Sequence, residues 1–247
     1  MLESSVLTAL ATTSIAGLST VFGIFPVFIG AMKTKRALNL SLSFSAGIML
    51  STSLCELLPQ GLELVAKEIT KPISVCILFL AFALGISIAL VISRFIPETQ
   101  NGALRSSIIT AACIGLHNFP EGIATFMASY NDPQLGFYVA AAIALHNIPE
   151  GVGVALPIYC AGGSKKKAVL YTVLSGITEP LGALAAFGFL RPIINEVVLG
   201  CILAFVAGIM IYISAKELIP SIFKNDDAAA SSALLFGISL MLLVKAI

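Results

Sequence analysis

The chain is 247 residues long, and 58% of its residues are hydrophobic whereas only 11% are charged. Soluble domains have about 45–50% apolar and about 25% charged residues, so this composition argues against a soluble enzyme, a disordered chain, a coiled coil and a disulfide scaffold. The net charge of +1 gives no reason to expect nucleic-acid binding. An all-α integral membrane protein remains, with room for about eight spans of about 20 residues.

Eight apolar segments follow one another along the chain, and short polar stretches separate them. Each segment is predicted to be a transmembrane helix, because backbone polar groups cannot stay unpaired in lipid. The predicted spans cover residues 5–31, 38–59, 72–94, 104–128, 135–159, 168–190, 196–222 and 230–246. We therefore expect one transmembrane domain over residues 1–247, with no separate soluble domain.

The positive charges between the spans predict the orientation of the chain in the membrane. Alternate loops place nine of them on one side: Lys33, Lys35, Arg36, Arg94, Arg105, Lys165, Lys166, Lys167 and Lys224. The other side holds four: Lys67, Lys71, Arg191 and Lys245. Cytoplasmic loops are enriched in Lys and Arg, so the richer side is predicted to be cytoplasmic and both termini are predicted to lie outside.

Two internal similarities indicate an inverted repeat. Residues 46–59 (AGIMLSTSLCELLP) match residues 207–220 (AGIMIYISAKELIP) at eight of fourteen positions. The motif His-Asn-x-Pro-Glu-Gly occurs at 117–122 in the fourth span and at 146–151 in the fifth. Similar spans of opposite direction are typical of transporters with a substrate site near the bilayer midplane. The predicted order is three spans (about 5–94), a central pair (about 104–159) and three inverted spans (about 168–246).

Both histidines of the chain and three of its glutamates fall in the middle of predicted spans. These residues are His117, His146, Glu121, Glu150 and Glu179. A charged group at the bilayer centre costs about 2.5–3.5 kcal/mol on insertion scales. No lysine or arginine lies at the same depth, so the missing positive charge is predicted to come from bound protons or cations.

Helical geometry places the polar side chains of each motif on one face. At about 100° per residue, His117, Glu121 and Asn118 project at about 0°, 40° and 100°, with the glutamate in the middle. The second motif repeats this order with His146, Glu150 and Asn147. Imidazole and carboxylate ligands without thiolate favour a divalent metal, with zinc first and Fe²⁺, Mn²⁺, Co²⁺ or Cd²⁺ as alternatives. Each glutamate is placed to bridge two ions, the second of them together with Glu179.

The doubled motif, followed by Ser-Gly-Ile-Thr-Glu-Pro at residues 175–180, resembles the ZIP (Zrt/Irt-like) family of divalent-metal transporters. The resemblance covers all eight spans. It implies uptake of zinc, and often of iron or manganese, across the bacterial cell membrane toward the cytoplasm. It also implies a homodimer and an elevator-like movement of the first, fourth, fifth and sixth spans against the rest.

The resemblance further implies a two-metal centre. The first site would contain Met49, His117, Glu121, His146 and Glu150. The second site would contain Asn118, Asn147 and Glu179 and would share the two motif glutamates. Many family members carry a long His-rich loop between the third and fourth spans. Here that loop covers only about residues 95–103 and has no histidine, so metal sensing through it is not expected.

Three classes of function are compatible with metal ligands inside a membrane. The leading hypothesis is a carrier in which the metal is the substrate and no cofactor is expected. No Walker A motif is present, so direct use of ATP is not expected either. The alternative is an intramembrane zinc-dependent hydrolase, which typically carries H-E-x-x-H where this chain has H-x-x-x-E. A metal sensor or scaffold is the third class. Metal accumulation inside liposomes distinguishes transport from both others.

Overall fold

The computed structural model describes residues 2–29, 33–95, 102–190, 195–220 and 228–246, and every regular element in these ranges is helical. We number the eight consecutive helices α1 to α8 and include in each its 3-10 or π-helical turns. Their bounds are Leu2–Leu18, a 3-10 turn Ser19–Ile24 and Phe25–Phe28 for α1; Lys35–Ser51, a π-helical turn Thr52–Leu57 and Leu58–Glu68 for α2; Lys71–Phe95 for α3; Gly102–Asn131 for α4; Pro133–Cys160 for α5; Lys165–Ala185 and a π-helical turn Ala186–Leu190 for α6; Glu196–Ile213 and a π-helical turn Ser214–Leu218 for α7; and Ala228–Lys245 for α8. Most of the loop at 95–103 lies outside the described residues, as do Arg191 and Lys224.

Seven of the described helices are long and apolar enough to cross a membrane. The remaining helix, α4, has 30 residues, which exceeds the length that a span needs. The predicted all-α membrane fold is thereby confirmed.

The helix that contains the predicted second span extends beyond residue 59, since α2 continues to Glu68. Pro59 lies in the first turn of the segment Leu58–Glu68, directly after the π-helical turn Thr52–Leu57. A proline disrupts a helix by removing an N–H donor and by steric conflict with the preceding turn. The wider π-helical turn relieves that conflict, so the helix continues.

The π-helical turns of α2 and α7 fall at equivalent places in the sequence similarity. Thr52–Leu57 and Ser214–Leu218 both lie within the matched segments 46–59 and 207–220. The wide turn is therefore a shared property of the two similar segments. The division into three, two and three spans stays a prediction, which this correspondence supports.

Close helix contacts follow the same correspondence. A Cβ atom at Gly47 of α2 would overlap the carbonyl oxygen of Leu234 in α8. A Cβ atom at Gly208 of α7 would overlap the carbonyl oxygen of Phe82 in α3. Small residues let helix backbones approach closely in membranes. α2 therefore packs on α8 and α7 packs on α3, while α1, α4, α5 and α6 pack against one another.

Candidate metal centre

The histidines and one glutamate of the two motifs meet in the buried seam between α4 and α5. His117 Nε2 lies 3.4 Å from Glu121 Oε1, and His146 Nε2 lies 3.0 Å from the same oxygen. The ligand atoms of these three residues all lie within 4.8 Å of one another. Zinc binds nitrogen and oxygen at about 2.0–2.2 Å, so two of its ligand atoms stand at most about 4.4 Å apart. The measured separations of 3.4 and 3.0 Å fall within this limit, so each imidazole nitrogen is close enough to Glu121 Oε1 to share one ion with it.

Glu150 enters the cluster from α5 by pairing across the seam. Its Oε1 atom lies 3.5 Å from His117 Nε2 on α4. His146 likewise contacts Glu121 of the opposite helix. The sequence predicted His–Glu pairs at i, i+4 within each helix, and the described contacts show one such pair, His117 with Glu121, and two pairs between the helices.

The residues predicted for the second site divide into two groups. Asn147 Nδ2 donates hydrogen bonds to Glu179 Oε2 at 2.8 Å and to the carbonyl oxygen of Ala16 at 3.0 Å. Asn118 Nδ2 instead donates to the carbonyl oxygen of Ser175 at 3.2 Å. Asn147 and Glu179 are thus in direct contact, whereas Asn118 is held by the backbone of α6.

Met49 is buried in an apolar cluster that includes Met210, Leu203 and Cys113. This cluster joins α2, α4 and α7. The cluster accounts for the burial of the methionine, and its role as a metal ligand stays a prediction.

Buried polar atoms without a hydrogen-bond partner are concentrated in this region. They are Nδ1 and Nε2 of His117, Oδ1 of Asn118, Oε2 of Glu121, Oδ1 of Asn147, both carboxylate oxygens of Glu150 and Oε1 of Glu179. Buried polar groups in proteins are normally hydrogen-bonded, and each exception requires an explanation. A nitrogen and oxygen donor set of this kind fits a bound divalent cation, which takes up the lone pairs.

The glycine that ends each motif brings a further helix close to the centre. A Cβ atom at Gly122 would overlap the carbonyl oxygen of Glu179, and a Cβ atom at Gly151 would overlap that of Thr20. The two glycines therefore allow α6 to approach α4 and α1 to approach α5. The close approach of α6 places the third buried carboxylate beside the other two.

Replacing Gly122 with alanine is expected to reduce metal uptake strongly, because the added methyl group forces α6 away from α4. Overpacking of this kind typically costs about 1–3 kcal/mol. The matched control is Gly102→Ala, since nothing lies within 4 Å of a Cβ atom at Gly102. Uptake and thermal unfolding of both variants should be compared with those of the unchanged chain. Equal uptake by the two variants would contradict this role for Gly122.

Glu56 is a site residue to which the sequence assigned no function. Its Oε1 atom lies 3.7 Å from His146 Nδ1, and its side chain is 26% exposed. A cavity of about 180 Å³ lies between Glu56, Gln60, Glu121 and His146. The partly exposed acid is thus connected to the buried cluster. The only sequence signal was its position in the repeated segment 46–59.

These observations define a class: a polytopic helical membrane protein with a buried cluster of divalent-metal ligands between two central spans. The family model described as ZIP Zinc transporter matches residues 97–245. The chain is 40% identical to the protein named Zinc transporter ZupT of Streptococcus mutans, over 96% of this chain and 98% of the relative. Proteins of the same name from Chlorobium limicola and Lysinibacillus sphaericus are 40% and 38% identical, over 94% and 98% of this chain and 95% and 100% of their own lengths.

The chain belongs to the ZIP zinc transporter family. Members of this family are transporters, so the protein is not an enzyme and the intramembrane hydrolase is not favoured. Transport of a divalent metal, zinc above all, is the function that the family and the ligand cluster support together.

Proposed function

We propose that the protein takes up zinc toward the cytoplasm through a two-metal centre in the seam between α4 and α5. The observation that carries the proposal is the buried cluster in which His117, His146 and Glu121 bring their ligand atoms within 4.8 Å of one another. Zinc is proposed as the first substrate, because imidazole nitrogen and carboxylate oxygen suit it well. Iron, manganese, cobalt and cadmium are proposed as competing substrates with the same ligand preferences.

The proposal of two ions rests on charge and on the arrangement of the acids. Glu121, Glu150 and Glu179 are buried and carry three negative charges when ionised, while the histidines bind metal as neutral ligands. One divalent ion leaves a net charge of about −1 and two leave about +1, so neither state buries a large uncompensated charge. The His side holds the first ion. Asn147 and Glu179, joined by a hydrogen bond of 2.8 Å, provide the start of a second set of ligands.

The route into the centre is proposed to pass Glu56. The cavity beside Glu56 reaches Glu121 and His146, and the helix that carries Glu56 continues to Glu68 at the side predicted to lie outside. An acid that is partly exposed attracts cations, and its contact with His146 leads them to the first ligands. An entrance on that side is where the proposed uptake would begin.

Contacts between loops support the predicted order in which successive loops lie on opposite sides of the membrane. The proposed direction of uptake depends on this order. Lys33 Nζ donates a hydrogen bond to the carbonyl oxygen of Gly163 at 2.6 Å, so the loops before α2 and before α6 lie on one side. Lys67 and Glu196 form an ion pair of 3.4 Å, so the end of α2 and the start of α7 lie on one side. We propose that the side of Lys33 is cytoplasmic, that both termini lie outside, and that the protein works as a homodimer in the bacterial cell membrane.

Single cysteines at residues 131 and 166 are expected to label from opposite faces of the membrane. Asn131→Cys should react with an impermeant thiol reagent added outside intact cells, and Lys166→Cys should react only after the cells are opened. The native cysteines must first be replaced by serine, because Cys76 is exposed. Labelling of both positions from outside would contradict the proposed orientation.

The apparent zinc affinity is expected to weaken as the pH falls, because a protonated imidazole cannot bind metal. Imidazole in water takes up a proton near pH 6.5, so each competing histidine weakens binding about tenfold between about pH 7.5 and about pH 5.5. Zinc titration of the purified protein at both pH values measures this change. An unchanged Kd would argue against ligation by His117 and His146.

Zinc uptake by purified protein in liposomes tests the proposed function itself. Vesicles that contain the protein and an enclosed zinc indicator should accumulate zinc faster than protein-free vesicles, and added iron or manganese should slow the uptake. A second set under two different pH gradients shows whether protons are coupled to the movement. Tight zinc binding without any accumulation would contradict transport and favour a metal sensor.

A further inference from the structure

The helices α1 and α6 contact each other around a local two-fold relationship. A Cβ atom at Gly17 would lie 2.8 Å from the carbonyl oxygen of Gly176, and a Cβ atom at Gly176 would lie 2.7 Å from that of Gly17. Each glycine therefore packs against the backbone carbonyl oxygen of the other. These two glycines are 159 positions apart in the chain.

Contacts with the central pair follow the same pairing. The carbonyl oxygen of Ala16 accepts a hydrogen bond from Asn147, and that of Ser175 accepts one from Asn118. Ala16 and Ser175 are 159 positions apart, and the asparagines are the equivalent residues of the two motifs. The internal relationship thus extends from the backbone contacts into the polar side chains of the metal centre.

Thr20 occupies the place in α1 that Glu179 occupies in α6. It is 159 positions earlier, and its carbonyl oxygen packs on the motif glycine of α5, Gly151, as that of Glu179 packs on Gly122 of α4. Thr20 is fully buried, and its hydroxyl has no hydrogen-bond partner. The side chain at this place is therefore a polar group inside the protein without a structural partner among the described residues.

The equivalent of the Asn147–Glu179 pair is consequently Asn118 with Thr20. On the α6 side, the asparagine donates to a carboxylate. On the α1 side, both Oδ1 of Asn118 and the hydroxyl of Thr20 have no hydrogen-bond partner. The two places are equivalent in their backbone contacts with the motif glycines, and α6 carries a carboxylate where α1 carries a hydroxyl.

We infer that Thr20 is the neutral counterpart of Glu179 at the metal centre, and that the lack of a carboxylate at position 20 confines the second ion to the Glu179 side. The inference rests on the proposed two-metal centre. A hydroxyl is a weaker ligand for a divalent cation than a carboxylate, and it supplies no charge to offset a second ion in a medium of low dielectric. Moving one carboxylate from position 179 to position 20 keeps the total charge and transfers the second site across the two-fold relationship.

The test is a transfer of the acid, measured as zinc bound per chain in the purified full-length protein. Glu179→Gln should lower the zinc content from two ions toward one. Adding Thr20→Asp or Thr20→Glu to this variant should restore the second ion, whereas the neutral control Thr20→Asn should not. Aspartate and glutamate differ in length, so testing both covers the unknown distance between position 20 and the second ion. The elution volume and the thermal unfolding of each variant identify any that is misfolded.

The outcomes distinguish the inference about Thr20 from the proposed two-metal centre on which it rests. Recovery with either acid and not with asparagine supports the inference. A folded double variant that holds one ion with both acids overturns the inference and leaves the two-metal centre intact. One ion in the unchanged protein contradicts the two-metal centre, and the inference fails with it.

Discussion

Glu121→Ala is expected to reduce zinc uptake by more than about tenfold, because losing even an indirect partner of a metal ligand typically costs about 10–100-fold in affinity. Glu121 Oε1 lies 3.0 Å from His146 Nε2 and 3.4 Å from His117 Nε2, so this carboxylate joins the two motifs. Removing an acid from a span lowers the cost of inserting that span. The variant should therefore reach the membrane in normal amounts, and His117→Ala should behave in the same way.

Uptake in liposomes with equal amounts of protein measures this effect. The matched control is Glu63→Ala, which removes an exposed acid from the extension of α2 and should leave uptake unchanged. Near-normal uptake by Glu121→Ala, with the protein present in the membrane, would refute the first metal site. Equal losses in both variants would point to a general effect of charge.

Glu179→Gln is expected to remove one of two bound ions and to keep the other. Glutamine retains the size of the side chain, while the buried negative charge falls from three to two. The one-ion state then becomes neutral and the two-ion state reaches about +2, which a low-dielectric site disfavours. Asn147 also loses the carboxylate to which it donates at 2.8 Å. Zinc titration should fall from two ions per chain toward one.

The retained ion distinguishes this prediction from a general loss of folding. Its affinity should stay close to that of the first ion in the unchanged protein, because His117, Glu121 and His146 are untouched. Loss of both ions together would count against two sites that bind independently. Retention of both ions would remove Glu179 from the centre, and a carrier with a different second ligand set would be the better interpretation.

The sequence predicted the class of fold and the buried acids because these depend on local properties. Apolar segments longer than a bilayer crossing identify helices, and the doubled motif places His117 and Glu121 on one face. The extension of α2 beyond residue 59 was not predicted, because a proline normally ends a helix and the π-helical turn before it has no simple sequence signal.

The contacts between histidines and glutamates of opposite helices could not be predicted from the sequence. Periodicity defines which residues share a face of one helix, and the contact of His146 with Glu121 depends on how α4 and α5 are rotated against each other. That rotation depends on tertiary packing, in which the motif glycines bring α6 onto α4 and α1 onto α5. Glu56 was missed for the same reason, since its contact with His146 comes from a third helix.

The transported ion is proposed to bind in the buried seam between α4 and α5. Anomalous scattering at the zinc edge, measured on crystals of the zinc-loaded protein, locates it. We expect a peak within bonding distance of His117 Nε2, His146 Nε2 and Glu121, and a second peak beside Asn147 and Glu179. Zinc found only at surface residues, with no peak in the seam of a folded and fully loaded protein, would contradict this proposal.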